Sequence, residues 1–170
     1  PIAALIKTIG ENAFGFMLPI LAGFIAMSIA DRPGLAVGFV GGALANAGTT
    51  YSSAFDSSIS PISGGFLGAL FAGFAAGYLV LGLKKVFDLL PDALDGLKPT
   101  LLYPFFGIGL IGIIMIIVNP LFGSINLGIT GILNSMGGTS KVLLGIVVAG
   151  MMAIDMGGPF NKAAYVFGTA

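Results

Sequence analysis

The sequence contains no cysteine and no histidine, and only 8% of its 170 residues are charged. The missing cysteine excludes disulfide bonds and thiolate chemistry within this chain, and the missing histidine removes the commonest general base and metal ligand. Neither a phospho-cysteine nor a phospho-histidine can therefore be carried by it. The acidic residues are few and scattered, without the spacing of a metal-binding cluster, so we expect no metal site and no cofactor.

The sequence is rich in apolar residues instead: 56% of its residues are hydrophobic, and 28 are glycine. Soluble domains carry about 25% charged residues, and a soluble core of this size could not hide so much apolar surface. We therefore expect an all-α, polytopic transmembrane helical bundle in a lipid bilayer, with broken or re-entrant helices. The formal net charge is zero and no basic tract occurs, which argues against nucleic acid as a partner.

Apolar stretches that approach the thickness of the hydrocarbon core divide the chain. The predicted spans are residues 13–30, 64–83, 100–118 and 142–156, and the predicted re-entrant segments are residues 35–48, 125–136 and 159–168. We expect Asn119 and Pro120 to end the third span. Gly73 and Gly77 give the second span a face of small residues four apart, which predicts close helix packing. Because the sequence begins at Pro1 rather than methionine, we expect one partial membrane domain from a longer protein.

An apolar helix near the carboxyl end is interrupted by Gly157, Gly158 and Pro159. The two glycines free the backbone, and the proline cannot continue the preceding helix, although it suits the first position of a new one. The sequence therefore predicts two half-helices that meet at this break. Half-helices that meet at membrane depth are how many transporters build a polar site in an apolar medium.

Asp155 and Lys162 lie on the sides of the break where the helix dipoles disfavour their charges. An ionisable residue inside a membrane costs about 2.5 kcal/mol or more. We therefore predict that each neutralises the other, or another polar group across the break. The candidate substrate-binding residues are Asp155, Gly157, Gly158, Asn161 and Lys162, and Asp155 is also the candidate catalytic residue. The alternative is a structural ion pair that only holds the bent segment.

Asn46 and Thr49 form a second candidate group, after a Gly- and Ala-rich segment that is too short to span comfortably. Irregular backbone at membrane depth must be buried in protein or line a cavity. These two residues could therefore bind a polyol. The alternative is helix packing through small residues, followed by an ordinary helix cap.

Four blocks of the sequence, taken in order, carry a family resemblance. The blocks are residues 28–36, residues 65–78, residues 98–104 and residues 155–165, the last of which reads DMGGPFNKAAY. Together they resemble the fructose-family membrane permease, the IIC component of the bacterial phosphotransferase system. The blocks cover nearly the whole chain, and their order is the order in that family.

The resemblance implies a homodimeric, multi-pass permease of the bacterial inner membrane that binds fructose or a related hexose. Such a permease presents the sugar to a phospho-cysteine on the IIB component, which IIA supplies, and releases fructose phosphate inside. Around the sugar hydroxyls, Asp155 could then accept a hydrogen bond, Lys162 could donate one, and Asn161 could do both. The Asp155 carboxylate could also orient the attacking hydroxyl or accept its proton. Two alternatives remain open: an ion-coupled secondary sugar transporter without phosphorylation, and a non-catalytic membrane scaffold fragment.

Overall fold

The structure is a computed structural model that describes residues 2–56, 58–135, 141–155 and 158–169. Within these ranges every regular element is helical, which confirms the predicted all-α class. The α-helices are α1 (Ile2–Gly15), α2 (Met17–Ala30), α3 (Arg32–Ala47), α4 (Tyr51–Phe55), α5 (Gly65–Phe87), α6 (Tyr103–Ser135), α7 (Lys141–Ile154) and α8 (Pro159–Thr169). A 3₁₀ turn at Asp92–Leu94 and a π-helical turn at Lys98–Leu102 lie between α5 and α6.

Three helical stretches are long and apolar enough to cross a membrane. They are Ile2–Ala30, which joins α1 and α2, then Gly65–Phe87, and then Lys98–Ile132. Val142–Ile154 is apolar but shorter. A 23-residue helix such as α5 is about 35 Å long, which exceeds the roughly 30 Å hydrocarbon core of a bilayer. The lengths and composition agree with the expected membrane protein.

The core is a bundle of α2, α3, α5 and α6. Contacts pair the start of α3 with the end of α2, and the start of α6 with the start of α3. Gly73 and Gly77 of α5 lie against Ile25 and Ile29 of α2 in the same order along the chain. α2 and α5 therefore run in one direction, and α3 and α6 run in the other. Small and aliphatic side chains fill the centre, which is fully or almost fully buried at Leu18, Ala22, Ala26, Val37, Ala45, Ala72, Ala76, Val80, Ile111 and Met115.

Glycines on two helices allow the backbones of the bundle to approach closely. A Cβ atom added to Gly38 of α3 would lie 2.6 Å from the Cβ of Ala26 on α2. Cβ atoms added to Gly73 and Gly77 of α5 would each lie 2.8 Å from the Cβ of an isoleucine of α2. The close packing predicted for the face of Gly73 and Gly77 is therefore confirmed, and α3 carries a second face of the same kind.

The predicted end of a helix at Asn119 and Pro120 is wrong, because α6 continues through Pro120 to Ser135. The proline lacks an N–H and removes one hydrogen bond from the helix, but neighbouring helices support the backbone on either side. The predicted span 100–118 and the described part of the predicted re-entrant segment 125–136 therefore belong largely to one helix.

The other predicted segments map onto helices with boundaries shifted by a few residues. Residues 13–30 correspond to α2 and the end of α1, residues 35–48 to α3, residues 64–83 to α5, residues 142–156 to α7 and residues 159–168 to α8. Met136 and Met156, at the ends of two of these predictions, lie outside the described residues. Which of these helices cross the membrane and which are re-entrant remains a prediction.

Candidate functional site

The break between α7 and α8 is organised by the carboxylate of Asp155. Asp155 follows the last residue of α7, and one of its oxygens accepts the backbone N–H of Phe160 at 3.0 Å. The other oxygen accepts the backbone N–H of Asn161 at 2.7 Å. These amides lie in the first turn of α8, where no intrahelical acceptor reaches them and where the dipole favours an anion. Asp155 therefore interacts favourably with the amino end of α8. This is the predicted alternative in which its partner is another polar group across the break rather than Lys162.

A third hydrogen bond crosses the break, and here a side chain of α8 contacts the backbone of α7. The side-chain amide of Asn161 donates to the carbonyl of Met152, in the last turn of α7, at 3.0 Å. Gly158 lies beside this junction, and a Cβ atom there would collide with the carboxylate of Asp155. The glycine thus provides the space that the Asp155 cap needs. Gly157, the other predicted glycine, lies outside the described residues.

Lys162 lies one turn into α8 and is half-buried. Its backbone N–H donates to the carbonyl of Gly158 at 3.0 Å, as an ordinary first-turn hydrogen bond. Its ammonium forms no ion pair with any described residue, so the predicted pairing of Asp155 with Lys162 is not part of this structure. A half-buried ammonium without an ion partner retains its capacity to donate hydrogen bonds.

The segment between α3 and α5, residues 48–64, carries Thr49 of the second predicted group and is called the crossover segment below. It begins at Gly48, whose φ of 71° gives the left-handed cap that glycine adopts without strain. Thr50 and Ser53 then form a reciprocal capping box at the start of α4. Thr49 is half-buried and lies between these two structures. Its hydroxyl group has no hydrogen-bond partner among the described residues.

Asp56 is satisfied within the crossover segment. Ser58 donates to its carboxylate through both the backbone N–H, at 2.9 Å, and the hydroxyl, at 2.6 Å. These hydrogen bonds hold the pKa of the exposed Asp56 carboxyl below its ordinary value, since they favour the charged form. The described residues contain no group of three or more acidic, cysteine or histidine side chains that could hold a metal ion.

Asn46, at the end of α3, is exposed, and its amide donates a long hydrogen bond of 3.4 Å to the carbonyl of Gly15. Gly15 is the last residue of α1, and the neighbouring ring of Phe14 stacks on Tyr165 of α8, with 6.1 Å between ring centroids. The end of α1 therefore lies between the two predicted groups. No hydrogen bond among the described residues joins Asn46 or Thr49 directly to the α7–α8 break.

Asn119 is a buried polar residue that the sequence prediction treated only as a helix end. It lies inside α6 with 0% exposure, and its amide donates to the carbonyl of Leu44 at 3.1 Å and to that of Thr49 at 2.8 Å. Its side-chain oxygen is buried and has no partner among the described residues. A buried acceptor without a partner costs about 1–3 kcal/mol. The signal in the sequence that could have identified Asn119 is a polar amide inside an apolar span.

A comparison with protein-family models matches the whole chain, residues 1–170, to the family described as "Phosphotransferase system, EIIC". No solved structure matches the chain. The family description therefore agrees with the resemblance seen in the four sequence blocks.

Several curated proteins are similar to this chain. The "PTS system fructose-specific EIIABC component" of Bacillus subtilis (strain 168) is 50% identical over 163 residues, which are 95% of this chain and 23% of that protein. The "Fructose permease IIC component" of Bacillus amyloliquefaciens is 49% identical over 171 residues, which are 99% of this chain and 51% of that protein. The "PTS system fructose-specific EIIB'BC component" of Vibrio cholerae serotype O1 is 47% identical over 98% of this chain and 26% of that protein. The chain spans about a quarter to a half of the length of these relatives.

Proposed function

Because the chain belongs to the EIIC family of the phosphotransferase system, we propose that it forms part of the sugar-binding membrane unit of a fructose-type permease. The unit binds fructose or a related hexose and presents one hydroxyl group to a phosphorylated IIB domain. The observation that carries the proposal is the α7–α8 break, where a stretch resembling the family signature forms two half-helices. A carboxylate and an amide hold these half-helices together.

We assign Asp155 first to positioning, because both of its oxygens accept backbone amides of α8. A carboxylate has about four lone-pair sites, so two remain for a sugar hydroxyl or its proton. Catalysis by Asp155 stays a prediction that uses those remaining sites. Gly158 leaves room for the Asp155 cap, and Gly157, which lies outside the described residues, stays a predicted substrate-binding residue.

Asn161 and Lys162 supply the polar groups for the sugar itself. Lys162 is half-buried without an ion partner, so its ammonium is available to donate to a hydroxyl oxygen. The amide oxygen of Asn161 remains available as an acceptor while its NH₂ group donates to Met152. Asn46 contributes from the end of α3 and Thr49 from the crossover segment, with the Thr49 hydroxyl as a second donor and acceptor.

The phosphoryl donor must come from another domain or subunit, because this chain contains no cysteine and no histidine. The names EIIABC and EIIB'BC state that some relatives carry IIB or IIA parts in the same polypeptide. We therefore propose IIB and IIA domains as partners of this chain. The chain is a membrane protein, and we propose the bacterial inner membrane, a multi-pass topology and a homodimer.

The experiment that tests this function uses membrane vesicles that contain the complete permease to which this chain belongs. Labelled fructose is supplied with and without phosphorylated IIB, and the vesicle contents are separated into free sugar and sugar phosphate. We expect fructose phosphate to form only when phosphorylated IIB is present. A proton gradient alone should not accumulate the label.

Two outcomes would contradict the proposal. Accumulation of free fructose driven by an ion gradient would identify an ion-coupled secondary transporter. Absence of both activities, together with no sugar binding by calorimetry, would identify a scaffold fragment.

A further inference from the structure

Polar groups with unused hydrogen-bonding capacity gather where α6 passes the start of α5. The buried side-chain oxygen of Asn119 has no partner among the described residues. It faces the first turn of α5, because a Cβ atom added to Gly64 would lie 3.2 Å from this oxygen. Here an unsatisfied acceptor lies beside the amino end of a 23-residue helix.

The start of α5 has unused backbone donors, and its N-cap residue has no side chain that could accept from them. Gly64 is the N-cap residue and makes no side-chain capping hydrogen bond. Gly65 follows with a φ of 60°, which a glycine accepts without strain, and its N–H donates to the hydroxyl of Ser63 at 3.2 Å. The other amides of the first turn have no acceptor within the helix. Gly64 and Gly65 are both buried, and their lack of side chains lets Asn119 and Asn126 of α6 lie close to this end of α5.

Asn126 lies on the same side of α6 as Asn119, two helical turns further along, or about 10 Å. It is half-buried, and a Cβ atom added to Gly65 would lie 3.6 Å from its side-chain oxygen. The side-chain amide of Asn126 has no hydrogen-bond partner among the described residues. Its NH₂ group and its oxygen can therefore both serve a ligand at the start of α5.

We propose that Asn126 binds a sugar hydroxyl group, in a subsite on the α5–α6 pair that is separate from the α7–α8 break. A hydroxyl fits because it donates to an amide oxygen and accepts from an N–H at the same time, and both kinds of group are unused here. An anion without a proton has no hydrogen-bond donor for the side-chain oxygens of these asparagines. The inference rests on the proposed function and extends it to a further contact residue.

Asn119 is a positioning residue of the same subsite. Its two hydrogen bonds fix the end of α3 and the carbonyl of Thr49 against α6. They leave the Thr49 hydroxyl free. Asn119 thus holds Thr49 and the crossover segment at a fixed distance from Asn126, so that the two can contact different hydroxyl groups of one sugar.

The test uses the complete permease with phosphorylated IIB, and compares fructose with a series of monodeoxyfructoses. Asn126→Ala is expected to raise the KM for fructose roughly three- to tenfold, the value of one neutral hydrogen bond. For the one deoxy sugar that lacks the bound hydroxyl, the wild type and Asn126→Ala should have the same KM. Such a non-additive pair identifies a direct contact, which a purely structural role of Asn126 would not produce.

Ser124→Ala is the matched control, since Ser124 is exposed on the same helix and its hydroxyl donates to the carbonyl of Pro120 at 2.7 Å. Its KM should stay within about twofold of the wild type. If Asn126→Ala does not reach the membrane, Asn126→Asp keeps the side-chain shape and serves under the same criterion. An unchanged KM, or an equal rise for every deoxy sugar, would overturn the Asn126 contact.

Asn119 is tested in a double-variant cycle with Thr49→Ala, which keeps the Thr49 carbonyl and removes its hydroxyl and γ-methyl groups. Asn119→Leu and Thr49→Ala should each raise the KM, and the double variant should be no worse than the poorer single variant. Fully additive effects would refute positioning through Thr49. A wild-type permease that does not phosphorylate fructose would refute the proposed function and the subsite together, whereas a failure confined to the variants refutes the subsite alone.

Discussion

At the scale of single residues, Asp155 shows how a charge that looks misplaced in the sequence becomes favourable in the fold. At the end of α7 its charge opposes that helix's dipole. The break turns the chain so that the same carboxylate faces the amino end of α8 and accepts two of its amides. The sequence could predict that Asp155 needed a partner across the break, but it could not choose between Lys162 and the backbone.

Removal of this cap should loosen the start of α8. We predict that Asp155→Ala lowers the local stability of that turn by about 1–2 kcal/mol, the usual value of a lost helix cap. Hydrogen exchange of the amides of Phe160 and Asn161 in the complete permease should then be about 5- to 30-fold faster. Glu11→Ala removes an exposed carboxylate of α1 and serves as the control. Equal exchange rates in the wild type and Asp155→Ala would contradict the capping role.

At the scale of the elements, α2 and α3 form a tight hairpin joined by one residue. Asp31 has a φ of 59° and a ψ of −157°, a region that side chains other than glycine rarely adopt. Its carboxylate pairs with Lys84 of α5 at 3.1 Å and is 85% exposed, so this pair contributes little. The strain at Asp31 depends on the angle between α2 and α3, which the sequence alone does not give.

Asp31→Gly should be more stable than Asp31→Ala by about 1 kcal/mol or more. Both variants lose the ion pair with Lys84, and only the glycine adopts the left-handed backbone without strain. Thermal unfolding of the detergent-solubilised permease, followed by its monodisperse gel-filtration peak, measures the difference. A lower melting temperature for the glycine variant would show that the backbone at this position is not strained.

The packing of α2 against α3 depends on glycine at the contact. We predict that Gly38→Ala destabilises the bundle by about 1–3 kcal/mol, because the added methyl group meets Ala22 and Ala26 across the interface. Gly109→Ala is the matched control, since a Cβ atom there meets nothing within 4 Å, and alanine favours a helix over glycine. The same measurement should give a lower melting temperature for Gly38→Ala than for Gly109→Ala. Similar melting temperatures for the two variants would contradict the close approach of the two helices.

The unbroken helix α6 shows where sequence reasoning about elements failed. Proline is a reliable breaker when water can take over the freed backbone groups, and the interpretation of Pro120 used that rule. In α6 the next residue upstream, Asn119, is buried against α3 and the crossover segment. These tertiary contacts hold the helix on both sides of the proline, and no local pattern in the sequence reveals them.

At the scale of the whole molecule, composition alone predicted the all-α class and the membrane character. The small residues of α5 predicted close packing, although their partners on α2 required the structure. The candidate site was predictable at the α7–α8 break because glycine, proline and charge coincide there. The crossover segment and its contact with Asn119 were less predictable, because the hydrogen bond joins residues 70 positions apart in the chain.

If polar side chains at the α7–α8 break contact the sugar, as proposed, then substitution of Lys162 should weaken sugar binding. Lys162 has no ion partner among the described residues, so Lys162→Met removes a donor and little structural support. The measurement is the KM for fructose in phosphorylation dependent on IIB, with melting temperature recorded beside it and the exposed Lys85→Met as control. For Lys162→Met we predict a KM for fructose raised roughly tenfold or more, the value of a hydrogen bond to a charged group, with an unchanged or higher melting temperature. An unchanged KM with a lower melting temperature would contradict it.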